Sequence, residues 1–322
     1  MFRRGDTVLV AVSGGPDSVC LLYSLWYLRR LFNIRLEVFH FDHRLRTDSA
    51  KDAEYVRRLA GRLRLPFHLR EAGDRPRKGR SVEAWATVRR SNAANDVRKA
   101  IGGSVTAEGH TLDDQAETVL LNLIRGTGLE GLSGIGPGGY KYGRSAAYAE
   151  PLLDVERAEV EAFCRALHLR PRHDPMNTGT GLLRNAVRLN VIPSIERATG
   201  RSVKAPIARS AALLRESRME LQRAAVEAYV KVVSDARGSI RLDVDALLSL
   251  PDSVASRVIR MAVYNVLALD DATAPWTKEA IEAVLDLAKG RVGRGRDLPD
   301  GLKARREREY VSFSRTSPES RV

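Results

Sequence analysis

Residues 7–18 read Thr7-Val-Leu-Val-Ala-Val12, then Ser13-Gly14-Gly15-Pro16-Asp17-Ser18. An unbroken apolar run of this length reads as a strand covered on both faces, as in a parallel sheet. Gly14 and Gly15 let the backbone turn sharply and approach a ligand closely. Pro16 suits a first helical turn, where its missing N–H costs nothing. The stretch is therefore strand, loop, helix. The helix start offers free N–H groups and the positive end of a dipole, a natural phosphate site. Ser13 and Ser18 add hydroxyl donors. A carboxylate at Asp17 beside phosphate calls for a bridging cation, which implies Mg²⁺. The plain alternative is a tight turn with Asp17 as a first-turn acid, and the six-residue string in this setting favours the phosphate. The string lacks the Lys of G-x-x-x-x-G-K-[ST], so it is not a Walker loop.

Outward from this stretch, two periods alternate. Arg35 to Phe41, Pro66 to Leu69 and Ser104 to Ala107 read as strands. Asp17 to Arg30, a segment opened by Ser49, Ser81 to Lys99 and a segment capped by Thr111 read as helices. Asp52 and Asp114 lie three residues after Ser49 and Thr111, as capping-box partners would. Strand–helix alternation predicts right-handed crossovers and an α/β, doubly wound parallel sheet, with ligands outside the carboxyl ends of the strands. Gly126 to Arg144 is a Gly-rich loop. Gly126, Gly128 and Gly131 match a dinucleotide fingerprint as a string, but they follow a helix rather than a strand. Amphipathic segments return at 156–167 and 184–197, and 200–206 reads as a linker. Beyond it lie helices at 207–233, 254–267 and 277–287, a short strand at 239–243, and an alternating end with Pro299-Asp300-Gly301 as a hairpin-type turn. The expected organisation is a catalytic domain over 1–200 and a smaller, mostly helical domain over 207–322, closed by a terminal hairpin.

The 322 residues hold 53 Lys+Arg against 40 Asp+Glu, a net charge of +13 with pI near 10.1. Both halves carry the excess, which points to a polyanionic partner touching both. Hydrophobic residues make up 43%, enough for a full core. Two cysteines, Cys20 and Cys164, make neither a disulfide framework nor a four-thiolate zinc site. The longest apolar run, Val19 to Leu28, is half of the roughly 20 residues a membrane helix needs. The apolar stretch Val8 to Val12 is too short for a signal peptide. The expectation is a soluble cytoplasmic protein without a membrane partner, its oligomeric state left open, a homodimer included.

The ordered motifs resemble one family. Ser13 to Ser18 is similar to the pyrophosphate-binding loop of the N-type ATP pyrophosphatases, the PP-loop family. His40-Phe-Asp-His43-Arg-Leu-Arg46 resembles the H-x-D-H-x-L-R stretch of its tRNA(Ile)-lysidine synthetases. His110-Thr-Leu-Asp113-Asp114-Gln-Ala-Glu117-Thr resembles their H-x-x-D-D-Q-A-E-T, the most specific element. Arg125 to Leu132, Pro151-Leu-Leu with Arg157, Asp174-Pro-Met-Asn177, and Arg184-Asn185 with Arg188 and Pro193 continue the series. The strong motifs cover roughly residues 5–200. The resemblance implies an adenine nucleotide alpha hydrolase-like fold and a ligase that uses ATP and Mg²⁺. Its reaction adenylates the wobble cytidine of the CAU anticodon of tRNA(Ile), and free L-lysine then displaces AMP.

That reaction assigns candidate roles. Ser13, Gly14, Gly15, Pro16, Asp17 and Ser18 would bind nucleotide, with Asp17 on the metal and His43 and Arg46 alongside. His40 and His43 otherwise read as polar turn residues. His110, Asp113, Asp114 and Glu117 would be catalytic, the acids drawing a cation, either Mg²⁺ or the lysine ammonium. Their bland reading is helix first-turn acids, favoured by the macrodipole. Arg125, Arg184 and Asn185 would contact tRNA or lysine. A solvated helix face is the other reading of Arg184 and Arg188. In the third helix, Glu83, Ala86 and Arg90 match the family's E-x-x-A-R-x-x-R-Y, but Thr87 and Ser91 replace its first Arg and its Tyr. Two other readings remain: a tRNA thiolation enzyme, which the cysteine arithmetic disfavours, and a non-catalytic tRNA-binding relative.

Overall fold

Thr7, Val8, Leu9 and Val10 are all buried, because helices cover both faces of the strand they form. Val8 and Val10 pack with Val19, Leu22, Val56 and Leu59 on one face, and Leu9 packs with Phe39, Ala94 and Val97 on the other. A computed structural model describes residues 1–76, 81–140, 147–172, 182–236, 239–267 and 276–315. The Asp174 to Asn177 motif lies outside the described residues.

The first elements follow the sequence reading: β1 (Thr7–Ala11), α1 (Pro16–Phe32), β2 (Arg35–Asp42), α2 (Ser49–Leu63), β3 (Phe67–Glu71), α3 (Val82–Ala100), β4 (Val105–Ala107) and α4 (Leu112–Ile124). Next come α5 (Leu129–Leu132), β5 (Gly138–Tyr140), β6 (Ala147–Ala149), α6 (Arg157–Ala166), α7 (Leu182–Ala186), a π-helical segment Val187–Val191, and α8 (Ile192–Thr199). The sheet order is β3-β2-β1-β4-β6-β5, parallel except for β5 at the edge. The chain builds outward from β1 to β3 and then returns to the other side at β4. The carboxyl ends of β1 and β4 are thus a topological switch point, where such sheets bind ligands. The Gly-rich stretch read as a loop in fact contributes α5 and the antiparallel strand β5.

The Ser49 capping box does not form. Asp48 takes the N-cap position without a side-chain cap, and Ser49 Oγ instead donates to Asp42 Oδ2 at 3.1 Å. Asp52 is unavailable because its carboxylate is paired with Arg46 and Arg172. At Thr111 the box is complete: Asp114 Oδ2 accepts from Thr111 N at 3.0 Å, and Thr111 Oγ1 accepts from Asp114 N at 3.4 Å.

Gly200, left-handed at φ 65°, ends α8, and α9 (Lys204–Val232) starts within the stretch read as a linker. The chain divides into two compact units between Arg215 and Glu216. The second unit contains β7 (Val233–Ala236), β8 (Ser239–Asp243), α10 (Val244–Leu248), α11 (Asp252–Leu267), α12 (Lys278–Lys289), β9 (Gly295–Leu298), β10 (Leu302–Arg306) and β11 (Tyr310–Arg315). Helices predominate, but the expected hairpin belongs to a five-stranded antiparallel sheet, β7-β8-β11-β10-β9. Pro299-Asp300-Gly301 does turn the chain from β9 to β10. Val258, Ile259, Val284, Val311 and Phe313 are buried in this unit's own core. No described helix is long and apolar enough to cross a membrane.

Leu22 lies fully buried between α1 and the sheet. Leu22→Ala should cost the first unit about 2–5 kcal/mol, seen as a lower urea midpoint for the unfolding of that unit.

Candidate active site

The loop after β1 is closed by its own serines. Ser18 Oγ accepts from Ser13 N at 3.2 Å and Gly14 N at 3.1 Å, and donates to Gly15 O at 3.0 Å. Gly14 has φ 101°, where a side chain is strained, and a Cβ there would stand 3.4 Å from the Tyr55 ring. Gly15 is the N-cap of α1 and supplies no side-chain cap. The first N–H groups of α1 therefore lack a side-chain partner from their cap. Two further bonds brace the loop: His40 Nδ1–H donates to Val12 O at 2.7 Å, and Arg172 N donates to Gly14 O at 2.9 Å. Burial holds the His40 pKa below its ordinary 6.5, so the ring is the neutral donor.

Asp17 shares its surroundings with the acids of α4. Its Oδ1 is buried without a hydrogen-bond partner. Burial pushes its pKa up to about 6, opposed by Arg157 and Arg188 and reinforced by Asp114 and Asp113. The α4 acids, in contrast, are held by cations. Asp113 accepts from Arg157 N at 2.9 Å and Lys204 Nζ at 2.5 Å. Burial works against its ionisation, but those two partners prevail and keep it below 3.8. Asp114 is the capping residue, with Arg157 at 3.4 Å and Arg184 and Arg188 each at 3.6 Å from Oδ1. Glu117 is 1% exposed and accepts from Arg188 Nε at 2.6 Å, Arg188 Nη2 at 2.9 Å and Arg184 Nε at 3.0 Å. Arg184 and Arg188 face protein rather than a solvated helix side. The π-helical segment at Val187–Val191 begins between them, the kind of local widening that re-aims side chains at functional sites.

The remaining sequence candidates are spread around this centre. His43 packs edge-on to Phe41 at 4.8 Å and near Trp85 at 6.2 Å. Arg46 pairs with Asp52. Asn185 is on α7 beside Arg184. Arg125 caps the far end of α4 and is exposed, about 20 Å of helix away from Asp113. His110 precedes α4 and lies against Glu150, with Glu108 close by. Cys20 and Cys164 are core residues, and burial raises the Cys164 thiol to about 11.

Sequence reasoning missed Lys204, Arg172 and the job of Gln115. Gln115 is buried and clamps the Gly-rich loop, accepting from Ile135 N at 2.7 Å and donating to Ile135 O at 3.0 Å. A Cβ on Gly134 would strike its amide at 2.4 Å. Gln115 was legible as part of the motif. Lys204, 91 residues from Asp113, carried no local signal.

Residues 3–195 match the PP-loop domain family. The tRNA(Ile)-lysidine synthase of Symbiobacterium thermophilum is 36% identical over 330 residues, taking in 99% of this chain and 67% of that protein. The chain belongs to the tRNA(Ile)-lysidine synthase family of PP-loop proteins. The family member from Caldanaerobacter subterraneus is 35% identical over 308 residues, 94% of this chain and 64% of that protein. The one from Clostridioides difficile is 34% identical, over 83% of this chain and 58% of that protein. The chain thus spans 58% to 67% of the length of these relatives. Among solved structures, the U34-tRNA thiolase NcsA of Methanococcus maripaludis, which holds a 4Fe–4S cluster, shares the fold. Its TM-score is 0.58 at 20% identity, over 66% of this chain and 73% of that one.

An acid that titrates higher when folded takes up a proton on folding. Stability from Asp17 is therefore present at low pH and lost as pH rises from 3.8 through about 6. Asp17→Asn should stabilise the protein at pH 7 by up to about 3 kcal/mol, and the gain should vanish below about pH 4. Thermal denaturation across that range checks both.

Proposed function

We propose that the chain carries the ATP-dependent ligase activity of its family. It would adenylate the wobble cytidine of the CAU anticodon of tRNA(Ile) and join free L-lysine to it. In the first step the cytidine carbonyl oxygen attacks the α-phosphorus of ATP, and the bond to the β-phosphate oxygen breaks to release pyrophosphate. In the second, the lysine ε-amine displaces AMP and gives up a proton, leaving lysidine. The reading places the reaction in the cytoplasm, where tRNA, ATP and lysine meet.

The observation that carries this is the serine-closed loop at the uncapped start of α1, with Oδ1 of the half-buried Asp17 buried and without a hydrogen-bond partner beside it. The loop amides would cradle the phosphates. An orphaned carboxylate with a raised pKa fits a divalent cation, since a cation would offset the cost of its burial. Asp17 would hold Mg²⁺, which supplies charge neutralisation at the phosphates. Arg157, Arg184 and Arg188 keep the neighbouring acids from repelling ATP. Asp113 already binds one ammonium, that of Lys204, and so suits the ammonium of substrate lysine. The net charge of +13 supports a tRNA partner, held by a salt-sensitive phosphate term. The buried thiols do not favour sulfur transfer.

Purified protein should release pyrophosphate when given ATP and a tRNA(Ile) transcript, and incorporate labelled lysine into that transcript. Labelled sulfur in place of lysine, or no tRNA-dependent pyrophosphate, defeats the reading. Asp17→Ala should abolish pyrophosphate release with circular dichroism unchanged. Asp113→Asn should raise the KM for lysine about tenfold or more while adenylated tRNA still forms. Lost ATP binding at a normal KM for lysine would assign Asp113 to the metal instead.

A further inference from the structure

Glu150 is a buried acid that the family motifs do not explain. It directly follows β6, and its position comes from strand register. In the β4–β6 pair, Ala107 sits opposite Ala149, and Glu108 N donates to Ala149 O at 2.9 Å. Glu150 N in turn donates to Pro137 O at 3.0 Å. The residue is 3% exposed. Both carboxylate oxygens are used by one partner: Oε1 by His110 Nδ1 at 2.9 Å and Oε2 by His110 N at 3.2 Å. Ring and backbone of His110 are thereby fixed together.

His110 is carried to the phosphate cradle by the residue before it. A Cβ on Gly109 would stand 3.2 Å from Asp17 O and 3.3 Å from Asp17 C. Gly109 therefore lies directly on the first turn of α1, and His110 follows at its edge. With Nδ1 committed to Glu150, Nε2 is the ring nitrogen left for a ligand.

We propose that Glu150 is a positioning residue, which grips His110 at Nδ1 and so presents Nε2–H to the phosphoryl oxygens of a nucleotide bound at the start of α1. The charged groups around the ring are Glu150, Glu108, which Arg90 approaches to 3.6 Å, and Asp114. Burial alone would disfavour the imidazolium, but the Glu150 hydrogen bond and charge, helped by Glu108 and Asp114, raise the His110 pKa above 6.5. An imidazolium there donates to phosphate as pyrophosphate departs. A buried carboxylate without its charged partner would be costly, so each residue of the pair needs the other.

The inference rests on the proposed ATP chemistry, and the test separates the two. In Glu150→Gln the charge is gone and burial prevails, so the His110 pKa should fall below 6.5 in an NMR titration without substrate, assigned with His110→Gln. The chemical shift change of His110 on adding Mg²⁺ and ATP should shrink in the same variant. In pyrophosphate release, kcat should drop about tenfold or more between the titration of His110 in the variant and its titration in the wild type, with the KM for lysine unchanged, and recover as pH is lowered through the titration of the variant's His110. A purely structural loss would not recover in acid. Glu150→Asp, which keeps the charge, should fall between the two if Glu150→Gln folds poorly. Glu150→Gln should add little to His110→Gln. An unchanged His110 titration in Glu150→Gln, or a loss of activity equal at every pH, overturns the proposal. If wild-type protein releases no pyrophosphate, the functional reading has failed, and the titration and the ATP-induced shift still decide the role of Glu150.

Discussion

Four acids, Asp17, Asp113, Asp114 and Glu117, crowd the space between α1 and α4. Left alone they would repel one another and any phosphate brought to the loop. Arg157, Arg184, Arg188 and Lys204 bond or pair with three of them, while Asp17 feels Arg157 and Arg188 only at a distance and its Oδ1 has no hydrogen-bond partner. The arrangement is demanding because Glu117 is fully buried, where an unpaired charge is destabilising by several kcal/mol. Everything that delivers those cations is thus tied to everything that presents the loop.

The delivery explains several features that look unrelated. The segment that holds Arg184 and Arg188 changes from α to π geometry between them, which aims both guanidinium groups at one carboxylate. The start of α9 lies against α4 through Val203 and Ile207, which brings Lys204 to Asp113. Arg215 donates to Ser133 O and Ile135 O, the same turn that Gln115 clamps. Asp17, raised to about 6 and with Oδ1 lacking a hydrogen-bond partner, keeps a folding cost that a bound cation would relieve. Such local disfavour in an otherwise satisfied site is how binding energy is stored at functional positions.

Arginine supplies most of this chemistry, 44 of the 53 basic residues. Its rigid fork lets one residue bond two oxygens, as Arg188 does with Glu117, and a lysine would not replace it there. Thr87, standing where the family carries Arg, is exposed on α3, while Arg90 two turns from the helix start reaches Glu108. Charge near the cradle is therefore set chiefly by α6, α7 and the π segment.

The sequence by itself determined the parallel sheet, the loop and the first turn of α4. These depend on residues adjacent in the chain: an apolar run too continuous for a half-exposed strand, two glycines and a proline at a helix start, and a Thr three residues before an Asp. The same local logic failed at Ser49, because Asp52 had distant partners in Arg46 and Arg172. It also missed β5 and β6, short strands in and just after a Gly-rich stretch that carries no apolar run like that of β4. Only the tertiary structure decided which acid goes unpaired. Asp17, Asp113, Asp114 and Glu117 are alike in sequence as carboxylates at helix starts or one turn in. What separates them is a lysine 91 residues from Asp113, two arginines 67 and 71 residues from Glu117, and a helix start where Asp17 Oδ1 is buried without a hydrogen-bond partner. The position of a charge relative to a buried partner is a property of packing, and no spacing along the chain encodes it.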